Sequence, residues 1–396
     1  MESLKLLRAL ICCPEYKNDE LICSMCETAD TAPEKAAEAY SRVCSILFTE
    51  GKTLSDYLFF LAVDSGNKII SAWLENKSEK LYSAIKNDLD ILSRFAKVSS
   101  GELVDEIQSR CGGESLPFPQ YEKGNTEISA ESVLSYVSLY GSSVFASNKA
   151  FSFDGSTISP VSGFDSVRLS DLKNYEAQRK RVIDNTLCFI NGAKRQNVLL
   201  YGDRGTGKSS TVKALINEYP QLRIIHIPKA AILGIYKIYD IVRNNPLRFI
   251  LFIDDITFSE NDEGYSFLKQ ALEGSVAVMP ENCVIYATTN RRRIIKETNS
   301  ERTGDEMHAA DARDENMSLA DRFGLYITFT TPDKSGYLDI VSKIAADRKL
   351  DISEEKLLSL AERFALKKCG RSPRTARQFV DMVQSRIELG LDLDEI

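Results

Sequence analysis

Apolar residues in the first third of the chain recur at the spacing of amphipathic helices. Ala36–Phe48 and Leu54–Val63 follow this pattern, with breaks at Gly51 and Gly66. A further stripe lies in a segment otherwise rich in Lys, Asp and Ser and consists of Leu81, Ile85, Leu89, Leu92 and Ala96. The spacing predicts a mainly helical domain over residues 1–140.

From Val167 onwards, short apolar runs alternate with helical stretches. The runs are Asn197–Leu200, Leu222–Ile227, Phe249–Ile253, Val284–Ala287 and Leu325–Phe329. Five such β segments separated by helices predict an α/β core, 167–332, with a parallel sheet covered on both faces. After Pro332 the pattern is helical again, which predicts a small helical domain over 333–396. Its three segments are Tyr337–Arg348, Glu354–Phe364 and Ser372–Leu389.

Residues 141–166 separate the two patterns and are rich in serine and glycine, with interspersed phenylalanines. We assign this segment as a linker between domains. A β-hairpin fits the same composition, and the residues do not decide between the two.

Composition narrows the class of protein only moderately. A chain of 396 residues with 43% hydrophobic residues is typical of a soluble protein of two or three domains. The net charge of −7 gives no overall nucleic-acid footprint. No segment is long and apolar enough to predict a signal peptide or a membrane span, so we expect a cytoplasmic protein without a membrane partner.

The nine cysteines are scattered, which favours reduced, buried thiols over a disulfide framework. Cys23 and Cys26 have a spacing that can hold zinc, with Cys12 and Cys13 nearby. Adjacent cysteines are poorly placed to bind one ion together, and no histidine lies near them. Cysteines on buried helix faces are therefore the favoured interpretation, and structural zinc is the alternative.

The chemistry of the chain begins at a complete G-x-x-x-x-G-K-[ST] phosphate loop between an apolar run and a helical segment. We assign nucleotide binding to Gly202, Asp203, Arg204, Gly205, Thr206, Gly207, Lys208, Ser209 and Ser210. In such a loop the backbone N–H groups and the positive end of the helix dipole surround a phosphate. Lys208 is expected to reach the β- and γ-phosphates, and the Ser209 hydroxyl to hold Mg²⁺. The sequence thus predicts binding of a nucleoside triphosphate.

Polar side chains end two of the predicted strands. Asp254 and Asp255 follow Phe249–Ile253; Asp254 is expected to bind Mg²⁺ through water, and Asp255 to orient and deprotonate the attacking water. Asn290 ends the next strand, where its amide can contact the γ-phosphate or that water. Asparagine is also an ordinary turn residue at such a position.

With Leu319–Gly324 and Ser372–Arg377, these motifs resemble an AAA+ ATPase. Within AAA+, four strings are similar to a bacterial family known only as uncharacterised ATP-binding proteins of unknown function: Gly202–Ser210, Phe249–Phe258, Ala287–Arg293 and Ser318–Leu325. The resemblance covers about Val167 to Leu389. It implies an α/β P-loop NTPase of AAA+ type, with a five-stranded parallel sheet and a small helical lid, preceded by a mainly α domain.

The resemblance also implies roles for single residues. Asn290 is similar to the sensor 1 residue, and Arg322 to the arginine finger that reaches the γ-phosphate of a neighbouring subunit. Arg374 is similar to sensor 2, with Arg377 as the alternative if the register slips by a turn. Val167–Tyr175 resembles the stretch that lies against adenine. The resemblance therefore implies ATP and Mg²⁺ as cofactors, a homo-oligomer, and Lys208, Asp255, Asn290 and Arg322 as catalytic residues.

Two positions depart from the usual AAA+ pattern. Asp255 replaces the common glutamate and is one methylene shorter, so the attacking water must lie closer. Leu233–Tyr236 lies near the position of the unfoldase pore loop, but Tyr236 and Tyr239 at helical spacing favour packing. Threading of protein substrates is therefore not predicted.

Three other features carry weaker predictions. Arg291–Arg293 can contact nucleic-acid phosphates or acidic residues of a neighbouring subunit, although solvated charge is the plainer interpretation. Glu297–Asn316 predicts a surface loop. His226 ends the second β segment, where AAA+ proteins often keep a polar residue that couples partner binding to the catalytic carboxylate; we favour a buried, hydrogen-bonded histidine there.

These features predict an Mg²⁺-dependent ATPase that drives assembly or remodelling of a macromolecular partner. An unidentified protein partner is expected to bind residues 1–140, because the ATPase module is generic. The first alternative is a nucleotide-gated scaffold or adaptor with little hydrolysis, suggested by Asp255. The second is a nucleic-acid-directed loader or motor, suggested by Arg291–Arg293 and the arginines of the lid.

Overall fold

The computed structural model describes residues 16, 18–64, 70, 72–73, 76–110, 117–141, 144–258, 262–273, 278–290, 322–368 and 370–396. The chain forms two compact units: Met1–Asn148 with Asn244–Leu247, and Lys149–Arg243 with Arg248–Ile396. Cys12, Cys13, Arg291–Arg293 and Glu297–Asn316 lie outside the described residues, so the interpretations given for them stay predictions.

The first unit is helical, as the apolar spacing predicts. Its helices are α1 (Glu20–Asp30), α2 (Pro33–Glu50), α3 (Leu54–Asp64), α4 (Glu79–Phe95), α5 (Ser100–Arg110), α6 (Ala130–Tyr140) and α7 (Val144–Ser147). The Asp19 carboxylate accepts a hydrogen bond from the N–H of Ile22 and begins α1. Gly51, in the left-handed region at φ +61°, ends α2. The predicted stripe of α4 faces the core, where Leu92 is fully buried.

The two described cysteines of the candidate zinc cluster, Cys23 and Cys26, lie one turn apart on α1 and are half-buried. Burial raises the pKa of Cys26 to about 11, which favours the protonated thiol over the thiolate that zinc binds. Within the described parts of the chain, no group of three or more His, Cys, Asp or Glu side chains is placed to hold a metal ion.

The second unit contains a seven-stranded sheet. Its strands are β1 (Ala150–Phe153), β2 (Ile158–Pro160), β3 (Val198–Gly202), β4 (Leu222–His226), β5 (Arg248–Ile253), β6 (Cys283–Thr289) and β7 (Leu325–Phe329). They lie in the order β2-β1-β4-β5-β6-β3-β7. The five predicted strands are the last five of this order and pair in parallel. The parallel core implied by the AAA+ resemblance is thus present.

The two additional strands correct the assignment of residues 141–166 as a linker. β1 and β2 form an antiparallel hairpin, and β1 pairs in parallel with β4. Phe151 and Phe153 are buried, and the Asp154 carboxylate accepts the N–H groups of Ser156 and Thr157 at the reversal. Because these phenylalanines alternate on a strand that packs into the sheet, residues 150–160 belong to the α/β unit.

Helices cover the sheet and form the lid. Those of the core are α8 (Glu176–Ile190), α9 (Lys208–Glu218), α10 (Ile235–Val242) and α11 (Glu263–Glu273). Those of the lid are α12 (Lys334–Asp347), α13 (Glu354–Lys367) and α14 (Pro373–Glu388), which bury an apolar cluster of their own. Asp333 and Ser372 cap α12 and α14 through their side chains. Among the helices of the described residues, none has the length and hydropathy needed to span a bilayer.

Candidate functional site

The strand order reverses at β3. Its neighbours are β6 and β7, whereas β4, the next strand along the chain, lies beyond β5 and β6. The loop from Gly202 to Lys208 therefore leaves the carboxyl end of β3 at a switch point of the sheet. Ligands bind at such points in open α/β sheets because the connections on either side diverge there.

The backbone of this loop requires glycine where the sequence has it. Gly202 has φ +132°, and a Cβ at this position would lie 2.0 Å from the carbonyl oxygen of Phe329. Gly207 has φ +92° at the start of α9. Asp203 anchors the loop to the end of β7: its carboxylate accepts hydrogen bonds from Thr331, at 2.7 Å from the amide and 2.9 Å from the hydroxyl. The loop is thus held in place before α9 begins.

Lys208 is the buried cation of the loop, with 5% of its surface exposed. Its Nζ donates to the carbonyl oxygens of Gly202 (2.8 Å) and Asp203 (2.7 Å) and to Oδ1 of Asn290 (2.9 Å). Burial lowers the pKa of Lys208, while the charges of Asp203 and the two neighbouring carboxylates oppose that shift. The cation therefore lies among oxygen acceptors at the switch point.

The ends of β5 and β6 bring the predicted carboxylates and amide together. Ser209 Oγ donates to Oδ1 of Asp254 at 2.6 Å. Nδ2 of Asn290 donates to Oδ1 of Asp255, also at 2.6 Å. Asp255 has φ +51°, a left-handed conformation that is uncommon for a residue with a side chain. The side chains predicted for metal binding and for water positioning thus form one connected group.

Thr288 is a site residue to which the sequence analysis gave no role. Its Oγ1 donates to Oδ1 of Asp254 (2.6 Å) and accepts the N–H of Asp255 (2.9 Å). A threonine in a strand of β-forming residues has no distinguishing pattern, so only the neighbouring Asn290 marked this strand end.

A cavity of about 600 Å³ joins the loop, the strand ends and the lid. Its lining includes Asp171 and Leu172, the residues expected near adenine, and Ile340, Ile344, Arg374 and Arg377 of the lid. The N–H of Arg374 donates to the Gly205 carbonyl at 3.1 Å. Six cationic side chains face three carboxylates in this lining: Lys173, Arg179, Arg204, Lys208, Arg374 and Arg377 against Asp171, Asp254 and Asp255. The excess of positive charge suits an anionic ligand.

Two further lining residues are Tyr175, which ends the stretch expected near adenine, and Arg179, to which the sequence analysis gave no role. Asn174 and Tyr175 are both left-handed, at φ +65° and +62°, just before α8. The Tyr175 hydroxyl donates to the Thr330 carbonyl at 2.6 Å, and Arg179 donates to the Asn174 carbonyl. Consecutive left-handed residues other than glycine follow from tertiary contacts, which a single sequence does not display.

Arg322, the predicted finger, is not part of this cavity lining. It lies in the short turn before β7 and forms an ion pair with Glu273 at the end of α11. Arg322 therefore lies next to the end of the sheet, away from the phosphate loop of its own chain.

Two other expectations have different outcomes. His226 is exposed at the end of β4, so the prediction of a buried histidine is wrong. Ile225 and Ile227 on either side are fully buried, so at the end of this strand it is the side chain of His226 that reaches the surface. Tyr239 is fully buried, and the ring of Tyr236 packs 5.0 Å from that of Phe267. These tyrosines pack as their helical spacing predicts.

The donor chemistry of the site fits both predicted cofactors. The Ser209 hydroxyl and the Asp254 carboxylate lie within 2.6 Å of each other, and hard oxygen donors of this kind are the ligands that Mg²⁺ prefers. The loop amides, Lys208 and the positive lining fit a polyphosphate, and the apolar lid residues fit a flat base.

Comparisons with known proteins place these features in a family. One family, described as a protein of unknown function (DUF815), matches residues 146–387. Comparison with curated proteins finds no match. Among solved structures, the chain is similar to Thermotoga maritima RuvB, titled a Holliday junction branch migration motor. The identity is 18%, over 57% of this chain and 67% of that chain, with a TM-score of 0.40. A point mutant of that protein is 18% identical, over 57% of this chain and 69% of that chain, with a TM-score of 0.41.

Proposed function

The chain belongs to the DUF815 family, and we propose that its second unit is an AAA+ P-loop module that binds and hydrolyses ATP with Mg²⁺. One observation carries the proposal. A continuous hydrogen-bonded path connects Lys208 to Asn290, Asn290 to Asp255, and through Thr288 reaches Asp254 and Ser209. The path links the groups that phosphoryl transfer to water requires: a phosphate-binding cation, metal ligands and a general base.

Each group has a definite task in this proposal. The loop amides and Lys208 hold the phosphates, and Arg374 approaches them from the lid. Ser209 and Asp254 hold Mg²⁺, which, when bound, neutralises charge on the phosphate oxygens. Asp255 accepts the proton of the attacking water, and Asn290 fixes the direction of that carboxylate. Leu172 and Ile340 contact the base.

We further propose that the protein acts as an oligomer in which Arg322 reaches the nucleotide of a neighbouring subunit. The support is its position: Arg322 lies before the amino end of β7, whereas the phosphate loop follows the carboxyl end of β3, which is parallel to it. ATP-driven assembly or remodelling of a protein partner that binds the helical unit completes the proposal. A nucleic-acid partner has its main support in Arg291–Arg293, outside the described residues.

A nucleotide-gated scaffold is the second candidate function. Asp255 has a short side chain that is already hydrogen-bonded to Asn290, and Arg322 is paired with Glu273. Both contacts are compatible with tight binding of ATP and little turnover until a partner rearranges them.

The test measures nucleotide affinity and ATP turnover separately on the full chain. Lys208→Ala is expected to weaken ATP binding at least about tenfold, because it removes the buried cation. Asp255→Asn is expected to keep Mg·ATP binding and to lower turnover about 100-fold. Lys180→Ala, on the exposed Lys180–Asp184 pair of α8, is the control and should change neither.

The outcomes separate the two functions. Tight binding without turnover in the unmodified chain favours the scaffold. Absence of nucleotide binding in the unmodified chain contradicts both.

A further inference from the structure

Thr288 contacts the end of β5 at three successive residues. Its hydroxyl donates to Asp254 at 2.6 Å and accepts from the amide of Asp255 at 2.9 Å. Its carbonyl oxygen accepts the amide of Ile256 at 2.8 Å. The side chain is buried, with 2% of the residue exposed, so water competes little for these bonds. One residue of β6 thus fixes the whole turn that carries both carboxylates.

The first consequence concerns the backbone of Asp255. Its φ of +51° is a left-handed conformation that is unfavourable for a residue with a Cβ, so neighbouring contacts must maintain it. Thr288 supplies two of them, at the amides on either side of the Asp255 Cα. The left-handed turn directs the carboxylate to Asn290, whose amide nitrogen lies 2.6 Å away.

The second consequence concerns the carboxylate of Asp254. The hydroxyls of Thr288 and Ser209 both donate to Oδ1, each at 2.6 Å. The carboxylate is therefore oriented from the strand side by Thr288 and from the phosphate loop by Ser209. Removal of a group that orients a metal ligand in this way commonly lowers metal affinity about 10- to 100-fold.

We propose that Thr288 is a positioning residue that sets Asp254 and Asp255 relative to each other for Mg²⁺·nucleotide. The inference rests on the proposed function, because it concerns the same site. The hydroxyl of Thr288 couples the metal-binding carboxylate to the water-orienting carboxylate. Loss of this hydroxyl therefore impairs Mg²⁺ binding and turnover together.

The experiment compares Thr288→Val, which keeps the shape and removes the hydroxyl, with Thr288→Ser, which keeps the hydroxyl. Binding of a non-hydrolysable ATP analogue is measured in EDTA and across a Mg²⁺ titration, and ATP turnover is measured alongside. Thr288→Val is expected to need about 10–100 times more Mg²⁺ for half-maximal binding. Its affinity in EDTA should stay within about twofold of the unmodified chain, and turnover should fall by at least the factor seen for Mg²⁺. Thr288→Ser should restore both.

Thr186→Val is the matched control. Thr186 is also fully buried in the second unit and bonds Val182 and Tyr286 away from the site, so its loss reports general destabilisation. An unchanged Mg²⁺ requirement in Thr288→Val overturns the inference, as does an equal loss in Thr288→Ser or a parallel loss of affinity in EDTA. If the unmodified chain binds Mg·nucleotide without turnover, the Mg²⁺ titration of analogue binding still tests the role of Thr288. If it binds no nucleotide, the proposed function fails and the inference with it.

Discussion

Lys208 and Asn290 are joined by a hydrogen bond of 2.9 Å between Nζ and Oδ1, which connects the phosphate loop to the end of β6. The other end of the same amide donates to Asp255 at 2.6 Å. The two partners determine how the amide is oriented, since the cation requires its oxygen and the carboxylate requires its nitrogen. Asn290 is therefore a bridge between the groups proposed to bind phosphate and to activate water.

Asn290→Asp is expected to lower ATP turnover by about 10- to 100-fold, with a smaller effect on ATP affinity. The new carboxylate still accepts from Lys208 but repels Asp255 instead of donating to it. Turnover under saturating ATP and the Kd of the analogue measure the two effects. Asn191→Asp, at the exposed C-terminus of α8, is the control. Equal losses in affinity and turnover would contradict the assignment.

Gly202→Ala is expected to destabilise the second unit by about 3 kcal/mol, because the new methyl group would overlap the Phe329 carbonyl. Gly163→Ala is a matched control: Gly163 also has a left-handed φ, of +70°, but a Cβ there meets open space. The control isolates the backbone cost, about 1 kcal/mol. Urea unfolding monitored for each variant measures the difference; equal midpoints would show that the loop relaxes around the added methyl group.

Much of the candidate site could be predicted because its residues occupy fixed positions in the sequence relative to the strands. The phosphate loop has a fixed spacing, and Asp254, Asp255 and Asn290 directly follow apolar runs, so parallel pairing of the strands brings them together. Thr288 could not be identified in this way, since its partners are defined by the register between β5 and β6. His226 was misjudged for a related reason: its residue type, between the buried Ile225 and Ile227, does not show which way its side chain points.

The two strands at the edge of the sheet, β1 and β2, were not predicted from the sequence. The five central strands have continuous apolar runs, which buried parallel strands require. β1 and β2 are short and contain serine, aspartate and glycine around them, a composition that linkers share. The pairing of β1 with β2 and with β4 distinguishes the hairpin from a linker, and composition does not show it.

Arg322→Ala is expected to lower turnover about 100-fold and to remove any rise of specific activity with protein concentration. Glu273→Gln is expected to change turnover less than about fivefold, because a partly exposed ion pair contributes little energy. Specific activity over a protein concentration series measures both. Arg386→Ala, in the Arg386–Glu395 pair of the lid, is the control. A large increase in Glu273→Gln would instead identify the ion pair as a restraint on Arg322.

Acid is expected to destabilise the first unit through Asp56. Hydrogen bonds from Thr126 and Thr53 lower the pKa of Asp56. A carboxyl whose pKa is lower in the folded state stabilises the fold above its unfolded pKa, near 4, and loses that contribution as pH falls through the lower folded value. The loss should therefore begin below about pH 5.

Thermal unfolding between pH 7 and pH 3 tests this dependence. Thr126→Val removes one of these bonds and should weaken the pH dependence while lowering stability at pH 7. An unaltered pH profile in Thr126→Val would show that other carboxyls dominate the acid sensitivity.

The hairpin of β1 and β2 determines where the chain can be divided. β1 covers the edge of β4, and Pro160 at the end of β2 leaves a short outer strand that pairs poorly with other chains. A fragment that starts at Val167, where the phosphate-loop motifs and strand pattern begin, would lack this cover and expose the backbone of Ile224 and Ile225. We expect such a fragment to aggregate by edge-to-edge pairing, whereas one that starts at Lys149 keeps the edge closed and stays monodisperse.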